Sequence, residues 1–171
     1  IDSEFLRLRA FRNDKLLSGE LHLPASLTRI GANAFYYCQG LTGALEIPDA
    51  TTVIGSYAFS RCKGFTSLTL GAGLGTLNSN AFEYCFGLTG KMELPLGLRT
   101  LGVYAFQYCT GYEAQEVLIP YTVDSFSASA FNGTKLTYSR PVTPEDLFTK
   151  SWYNGGYMIT GYLGGETDVR S

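Results

Sequence analysis

The sequence predicts an α/β repeat solenoid: a right-handed coil with short parallel strands on its concave side and short helical turns opposite. Three observations carry that expectation. The dipeptide Ala-Phe recurs at Ala34-Phe35, Ala58-Phe59, Ala81-Phe82, Ala105-Phe106 and Ala130-Phe131, in steps of 24, 23, 24 and 25 residues. A cysteine follows three residues after the Phe in four copies, at Cys38, Cys62, Cys85 and Cys109. Prolines at Pro24, Pro48, Pro95 and Pro120 keep the same register, with Gly71 in the third copy. Self-similarity at a fixed period marks stacked units, none of which buries its own apolar face alone.

The unit reads Leu-x-Leu/Ile-Pro, then x-x-Leu/Val-x-x-Ile/Leu-Gly, then x-x-Ala-Phe-x-x-Cys-x-Gly-Leu-Thr. Its first element is a strand. Leu21 and Leu23, Leu45 and Ile47, Leu68 and Leu70, Met92 and Leu94, and Val117 and Ile119 alternate with residues of another character, the period of a strand with one buried face. Proline ends each strand because it has no N–H for the ladder. Next comes the Ile/Leu-Gly step at Ile30-Gly31, Ile54-Gly55 and Leu101-Gly102. The Ala-Phe-x-x-Cys segment is expected as a short helical turn with Ala, Phe and Cys on one face. There Phe35, Phe59, Phe82, Phe106 and Phe131 fill the space between the two sides of the coil. Copies with Leu41-Thr42-Gly43 or Leu88-Thr89-Gly90 carry one residue more than Phe65-Thr66-Ser67, an insertion expected at a loop corner without effect on the core.

Ala10-Phe11 lies 24 residues before Ala34-Phe35, with Asp14 at the Cys position and Leu17 at that of Leu41. The solenoid is therefore expected over residues 1–138: a truncated first repeat, four Cys-bearing repeats, and an atypical last repeat with Thr134 at the Cys position. Solenoid ends require atypical copies. Residues 139–171 form an extension. Thr143-Pro144-Glu145-Asp146 reads as a helix start, and residues 152–159 as a hairpin around Asn154-Gly155. The extension either caps the last apolar face or leads, through Ile159-Thr160-Gly161-Tyr162 and Thr167-Asp168-Val169, into a further repeat block. The chain opens without Met or a signal-peptide pattern and is expected to be processed or cut from a longer protein.

Composition narrows the functional classes. The 171 residues are 45% hydrophobic and 16% charged, with a net charge of −2. That balance argues against disorder, and the lack of basic excess argues against nucleic-acid binding. No stretch is long and apolar enough to span a bilayer as a helix. A single histidine restricts acid–base and metal chemistry. The four cysteines would either pair as two disulfides between neighbouring coils or remain buried thiols. The polar Asp14 and Thr134 at equivalent end positions suit the second reading. No Cys-x-x-Cys occurs, so a zinc site is not expected.

The motif resembles the BspA-like, or Treponema-type, leucine-rich repeat family, whose unit reads roughly L-x-x-I-x-(I/L)-P-x-x-(L/V)-x-x-I-G-x-x-A-F-x-x-C. The likeness covers about residues 5–135, with Ile-Pro, Ile-Gly, Ala-Phe and Cys recurring together in frame. Departures are Gly71 for Pro, Asn78 for Gly, Thr134 for Cys, and Phe126-Ser127 for Ile-Gly. The resemblance implies a right-handed leucine-rich-repeat solenoid. It also implies a secreted or cell-surface protein of host-associated bacteria or some parasitic protists, engaged in adhesion to host proteins and other cells.

Two surfaces are candidates for binding. On the strands, residues flanking the inward pairs point to solvent. Glu20, His22, Glu46, Thr69, Lys91, Glu93 and Leu118 then form a concave ligand-binding face with more acid than base, the kind of face solenoids use for binding. On the turns, Tyr37, Arg61, Tyr84 and Tyr108 stand immediately before the cysteines and would form an aromatic surface, suited to protein contacts or to glycans. No catalytic residues, cofactor or metal are expected. His22 and Glu46 find no third ligand in frame. Glu46 and Glu93 lie two coils apart, about 10 Å by strand spacing, too far for a glycosidase pair. Gly71-Ala72-Gly73-Leu74-Gly75 lacks the Lys-Ser/Thr of a phosphate loop. Arg7, Arg9 and Arg12 read as a solvated edge, and Asn132-Gly133-Thr134 is a glycosylation sequon only in a eukaryotic secretory setting. The expected partner is a protein, from extracellular matrix or a host surface. Self-association through the solenoid ends, or a spacer role, is the alternative.

Overall fold

The computed structural model describes residues 5–6, 9–140, 148–153 and 156–162. Arg7, the helix start at 143–146, the Asn154-Gly155 turn and the segment 167–169 lie outside the described residues. In chain order the strands are β1 (Phe5–Leu6), β2 (Ser18–Glu20), β3 (Arg29–Ile30), β4 (Gly40–Glu46), β5 (Val53–Ile54), β6 (Gly64–Thr69), β7 (Thr76–Leu77), β8 (Thr100–Leu101), β9 (Gln115–Leu118), β10 (Ser125–Phe126), β11 (Leu136–Ser139), β12 (Phe148–Tyr153) and β13 (Gly156–Tyr162). Strands β1 to β11 form a parallel-strand solenoid of about five turns.

The Ile/Leu-Gly step builds the most continuous ladder. Strands β1, β3, β5, β7, β8 and β10 pair in that order in a six-stranded parallel sheet. Ile30, Ile54, Leu77 and Leu101 are buried beneath it. The strands expected around the Leu-x-Leu pairs are less regular. Strands β2, β4 and β6 form one parallel sheet, and β9 and β11 another. Strand β2 ends before Leu21, and residues 91–94 of the fourth Cys-bearing coil join no strand. Beyond the coils, β12 and β13 pair antiparallel, as the hairpin reading of 152–159 expects.

The turn side departs from expectation. Its segments are not helical. In the first Cys-bearing coil, the N–H groups of Ala34, Tyr36 and Cys38 bond three residues back, to Gly31, Asn33 and Phe35. Those of Asn33, Phe35 and Tyr37 instead donate to the carbonyls of Ser56, Ala58 and Ser60 one coil on, at 2.9, 2.8 and 2.9 Å. Asn33 and Tyr37 are left-handed, with φ of 57° and 62°, and the pattern returns at Tyr57 and Arg61, Asn80 and Tyr84, and Tyr104 and Tyr108. A left-handed residue every fourth position stops a right-handed helix, and half the N–H groups are committed to the neighbouring coil. Among the described residues the one helix is a single 3-10 turn, Ala128–Phe131, in the last coil. There Ala130 and Asn132 N–H bond three residues back, to Ser127 and Ser129, as Ala34 and Tyr36 do to Gly31 and Asn33.

The core is a column. Phe11, Phe35, Phe59, Phe82, Phe106 and Phe131 stack in series, with centroid separations of 5.3, 5.1, 5.3, 5.4 and 5.7 Å and nearly parallel planes. The cysteines are free and buried. Each thiol donates to the carbonyl of the Phe one coil earlier: Cys38 to Phe11 at 2.9 Å, Cys62 to Phe35 at 3.0 Å, Cys85 to Phe59 at 3.1 Å and Cys109 to Phe82 at 3.0 Å. Burial pushes the thiols of Cys38, Cys62 and Cys85 above their ordinary value. Thr134 donates instead to Phe131 of its own coil, at 2.6 Å. At the other end, the Asp14 carboxylate accepts from Leu16 and Leu17 N–H. Both end residues satisfy backbone groups locally, where the cysteines tie coil to coil.

Candidate interaction surface

The strand-side face is shaped by a change in spacing. From the corner residue three positions after each Cys, or after Asp14 in the first repeat, to the first strand hydrophobe, the chain runs Leu17 to Leu21, Leu41 to Leu45, Phe65 to Leu68, Leu88 to Met92 and Tyr112 to Val117. The second coil is thus one residue longer than the third at this corner. The register between β4 and β6 shifts at Gly43/Ala44, where Gly43 pairs with Phe65 and Ala44 with Ser67. The fourth coil is again one longer than the third, and the last coil one longer than the fourth. Among the described residues, no ladder joins residues 91–94 to β6 or to β9, so the sheet is interrupted on both sides of them. Gln115 spans the second break: its side-chain amide accepts Met92 N–H at 2.9 Å and donates to Gly90 C=O at 2.8 Å, standing in for a missing peptide unit.

A groove of about 780 Å³ opens at the break, lined by the third, fourth and last coils and by Asp49 of the second. It gathers Thr69, Lys91, Glu93 and Leu118 of the seven expected strand-side residues. The other three, Glu20, His22 and Glu46, line a separate hollow of about 190 Å³. All seven are exposed. Lys91 pairs with Glu93, and His22 lies 3.8 Å from Glu20. Glu46 and Glu116 make no ion pair among the described residues. Sequence reasoning missed Leu96 and Tyr121, which also line the groove. The signal for them is the position after the turn Pro or Gly. It holds Ala25, Asp49 and Ala72 in the first three coils but Leu96 and Tyr121 in the last two.

The aromatic surface divides in two. Arg61 lies over the Tyr84 ring at 4.5 Å, and Tyr84 stacks on Tyr108 at 5.0 Å. Gly133 closes the far face of Tyr108, since a Cβ there would sit 2.4 Å from the ring. Tyr37 stands apart, 6.2 Å from Tyr36, which itself carries Arg12 at 5.2 Å. The faces of Tyr84 and Tyr108 are thus used within the stack. What reaches solvent is ring edge and hydroxyl, which serves hydrogen bonding better than stacking on a sugar.

Among the described residues, no group of three or more His, Cys, Asp or Glu side chains is placed to hold a metal ion. No helix there is long and apolar enough to cross a membrane.

The profile of the BspA type leucine rich repeat region matches residues 28–144 in six copies, more than half of the chain. Among solved structures, the chain is similar to a leucine-rich repeat protein from Bacteroides ovatus ATCC 8483, with 26% identity and a TM-score of 0.60, over 72% of this chain and 36% of that one. It is similar to a T. pallidum leucine rich repeat protein, with 26% identity and a TM-score of 0.61, over 68% of this chain and 56% of that one. A leucine-rich repeat protein from Eubacterium ventriosum ATCC 27560 shares the fold at 23% identity and a TM-score of 0.65, over 89% of this chain and 38% of that one. The chain thus spans between 36% and 56% of the length of these proteins. No curated protein sequence matches it.

Proposed function

We propose that this chain, which belongs to the BspA-type leucine-rich repeat family, is a non-catalytic protein-recognition module. Its setting is a cell-surface or secreted protein, on the bacterial outer surface or in the periplasm. Its task is adhesion to proteins of a host or a neighbouring cell, extracellular-matrix proteins among them. One observation carries the reading: Thr69, Lys91, Glu93 and Leu118, from three successive coils, converge on one open groove. A protein surface can engage such a face over several coils at once, because the solenoid repeats it at a fixed spacing. The family supports an interaction module in general, and the adhesive role is the finer part of the proposal.

The test is direct binding of the purified chain to immobilised extracellular-matrix proteins and glycans, read by biolayer interferometry. Saturable, salt-tolerant binding to a protein is expected. Glu46→Lys with Glu93→Lys should weaken it about tenfold or more, and Tyr84→Ala with Tyr108→Ala should leave it within about twofold. Binding to glycans alone would replace the reading with carbohydrate recognition. Concentration-dependent assembly with no binding to any panel member would replace it with a spacer or self-assembling element.

A further inference from the structure

The groove combines features that a general recognition face does not need. Leu96, Leu118 and Tyr121 are 73%, 59% and 54% exposed, and all three line it. Large apolar side chains after the turn Pro or Gly occur only in the two coils beside the break. The floor also offers backbone polar groups. Ile47 N–H donates to Thr69 C=O, so Thr69 faces the second coil. By the alternation of a parallel ladder, Leu68 and Leu70 turn their N–H and C=O groups toward the fourth coil. Among the described residues, no ladder joins them to 91–94. The rim is acidic. Asp49, Glu93 and Glu116 stand against Lys91 alone, and Lys91 is already paired with Glu93. Asp49 is held in place by the Ala72 N–H at 2.8 Å.

Apolar side chains, open peptide-bonding groups and surplus carboxylate select one chemistry together. Fatty acids and phosphorylated ligands meet repulsion at the rim. A saturated hydrocarbon would leave the Leu68 and Leu70 backbone groups without partners. An extended peptide satisfies all three features, because its backbone pairs with an open edge while alternate side chains enter apolar pockets. Resting on the recognition-module reading, we propose that this groove binds an extended segment of a partner protein that carries aliphatic or aromatic side chains beside a lysine or arginine. The acidic rim sets the orientation and the choice of partner, and the three apolar side chains anchor the segment.

A library of random linear peptides displayed on phage, selected on the immobilised full chain, tests this. Enriched peptides should pair an apolar run with Lys or Arg. Their synthetic forms should lose about tenfold or more in affinity for Leu96→Asp with Leu118→Asp and for Glu116→Lys, and be unchanged by Glu20→Lys in the other hollow. Glu116→Lys leaves the apolar wall intact, so it reads the groove even if the double variant loses its fold. No enrichment, enrichment of acidic peptides, or equal binding by the groove variants would overturn the proposal. If the chain still binds a protein of the immobilised panel, the recognition module stands without this groove. If it binds neither peptide nor protein, both fall. Self-association that Leu96→Asp abolishes, seen by sedimentation, would make the occupant a second copy and overturn the peptide.

Discussion

Tyr112 is the residue at which the core is least well matched. It is fully buried at the position occupied by Leu41, Phe65 and Leu88 in other coils. Its hydroxyl has no hydrogen-bond partner. Burial, and then the neighbouring Cys109 and Cys85, push that hydroxyl above its ordinary value. A buried unpaired hydroxyl costs about 1–3 kcal/mol, so Tyr112→Phe should stabilise the chain by about 1 kcal/mol in urea unfolding. An unchanged or lower midpoint would mean that the hydroxyl is satisfied. The thiols make a second residue-scale prediction. Native Cys62 and Cys85 hold their protons above the ordinary value of 9.0, while an unfolded chain releases them there. The native state then binds more protons, and stability falls as pH rises. The stabilisation is complete below the ordinary thiol value and is lost progressively above it. Urea midpoints measured from about pH 7 to about pH 10 should therefore decline at the alkaline end, and a flat profile would contradict the burial of these thiols.

At the scale of the element, close approach between coils sets the tolerances. A Cβ on Gly64 would lie 2.3 Å from the Leu41 carbonyl oxygen, a backbone atom that cannot swing aside. Gly64→Ala should therefore destabilise by about 1–3 kcal/mol, against no comparable loss at Gly75, where the nearest neighbour of a Cβ is the Thr52 carbonyl oxygen at 3.7 Å. Gln115 tests the bridge across the broken ladder. Gln115→Leu removes partners from both Met92 N–H and Gly90 C=O and should cost about 1 kcal/mol, since water reaches part of the site. Hydrogen exchange at the Met92 amide should accelerate in that variant. Unchanged exchange would show that Gln115 does not hold the edge. The helical turns expected opposite the strands fail for a reason of the same scale. Ala, Phe and Cys at offsets of one and three suit a helix and this turn equally well. The choice is made by the N–H groups of Asn33, Phe35 and Tyr37, whose acceptors stand one coil away.

For the whole molecule, stacking makes stability a sum over coils and interfaces. Deleting residues 65–87 joins Gly64 to Leu88, keeps Phe59 in frame with Phe106, and gives the junction the same corner spacing as Leu41 to Leu45. The shortened chain should fold cooperatively with a lower melting temperature, followed by circular dichroism. A non-cooperative melt would show that the third coil is needed for more than its share of the stack. The same deletion removes Leu68 and Leu70 and should abolish the groove.

The sequence by itself determined the repeat, its register, the family, the buried Phe and Cys columns and the exposure of the seven strand-side residues. Each of these follows from which side chains must leave water, and that demand repeats in every copy. Only the tertiary structure decided that the turns are not helical, that the cysteines are donors to a neighbouring coil, and that the strand face is divided into two hollows. Those outcomes depend on hydrogen bonds between residues a full repeat apart and on corner lengths compared across adjacent coils. A single-residue difference such as Phe65 to Leu68 against Leu88 to Met92 looks like a harmless insertion along the chain. Across the stack the ladder is interrupted at residues 91–94, and Leu96, Leu118 and Tyr121 stand around one groove there.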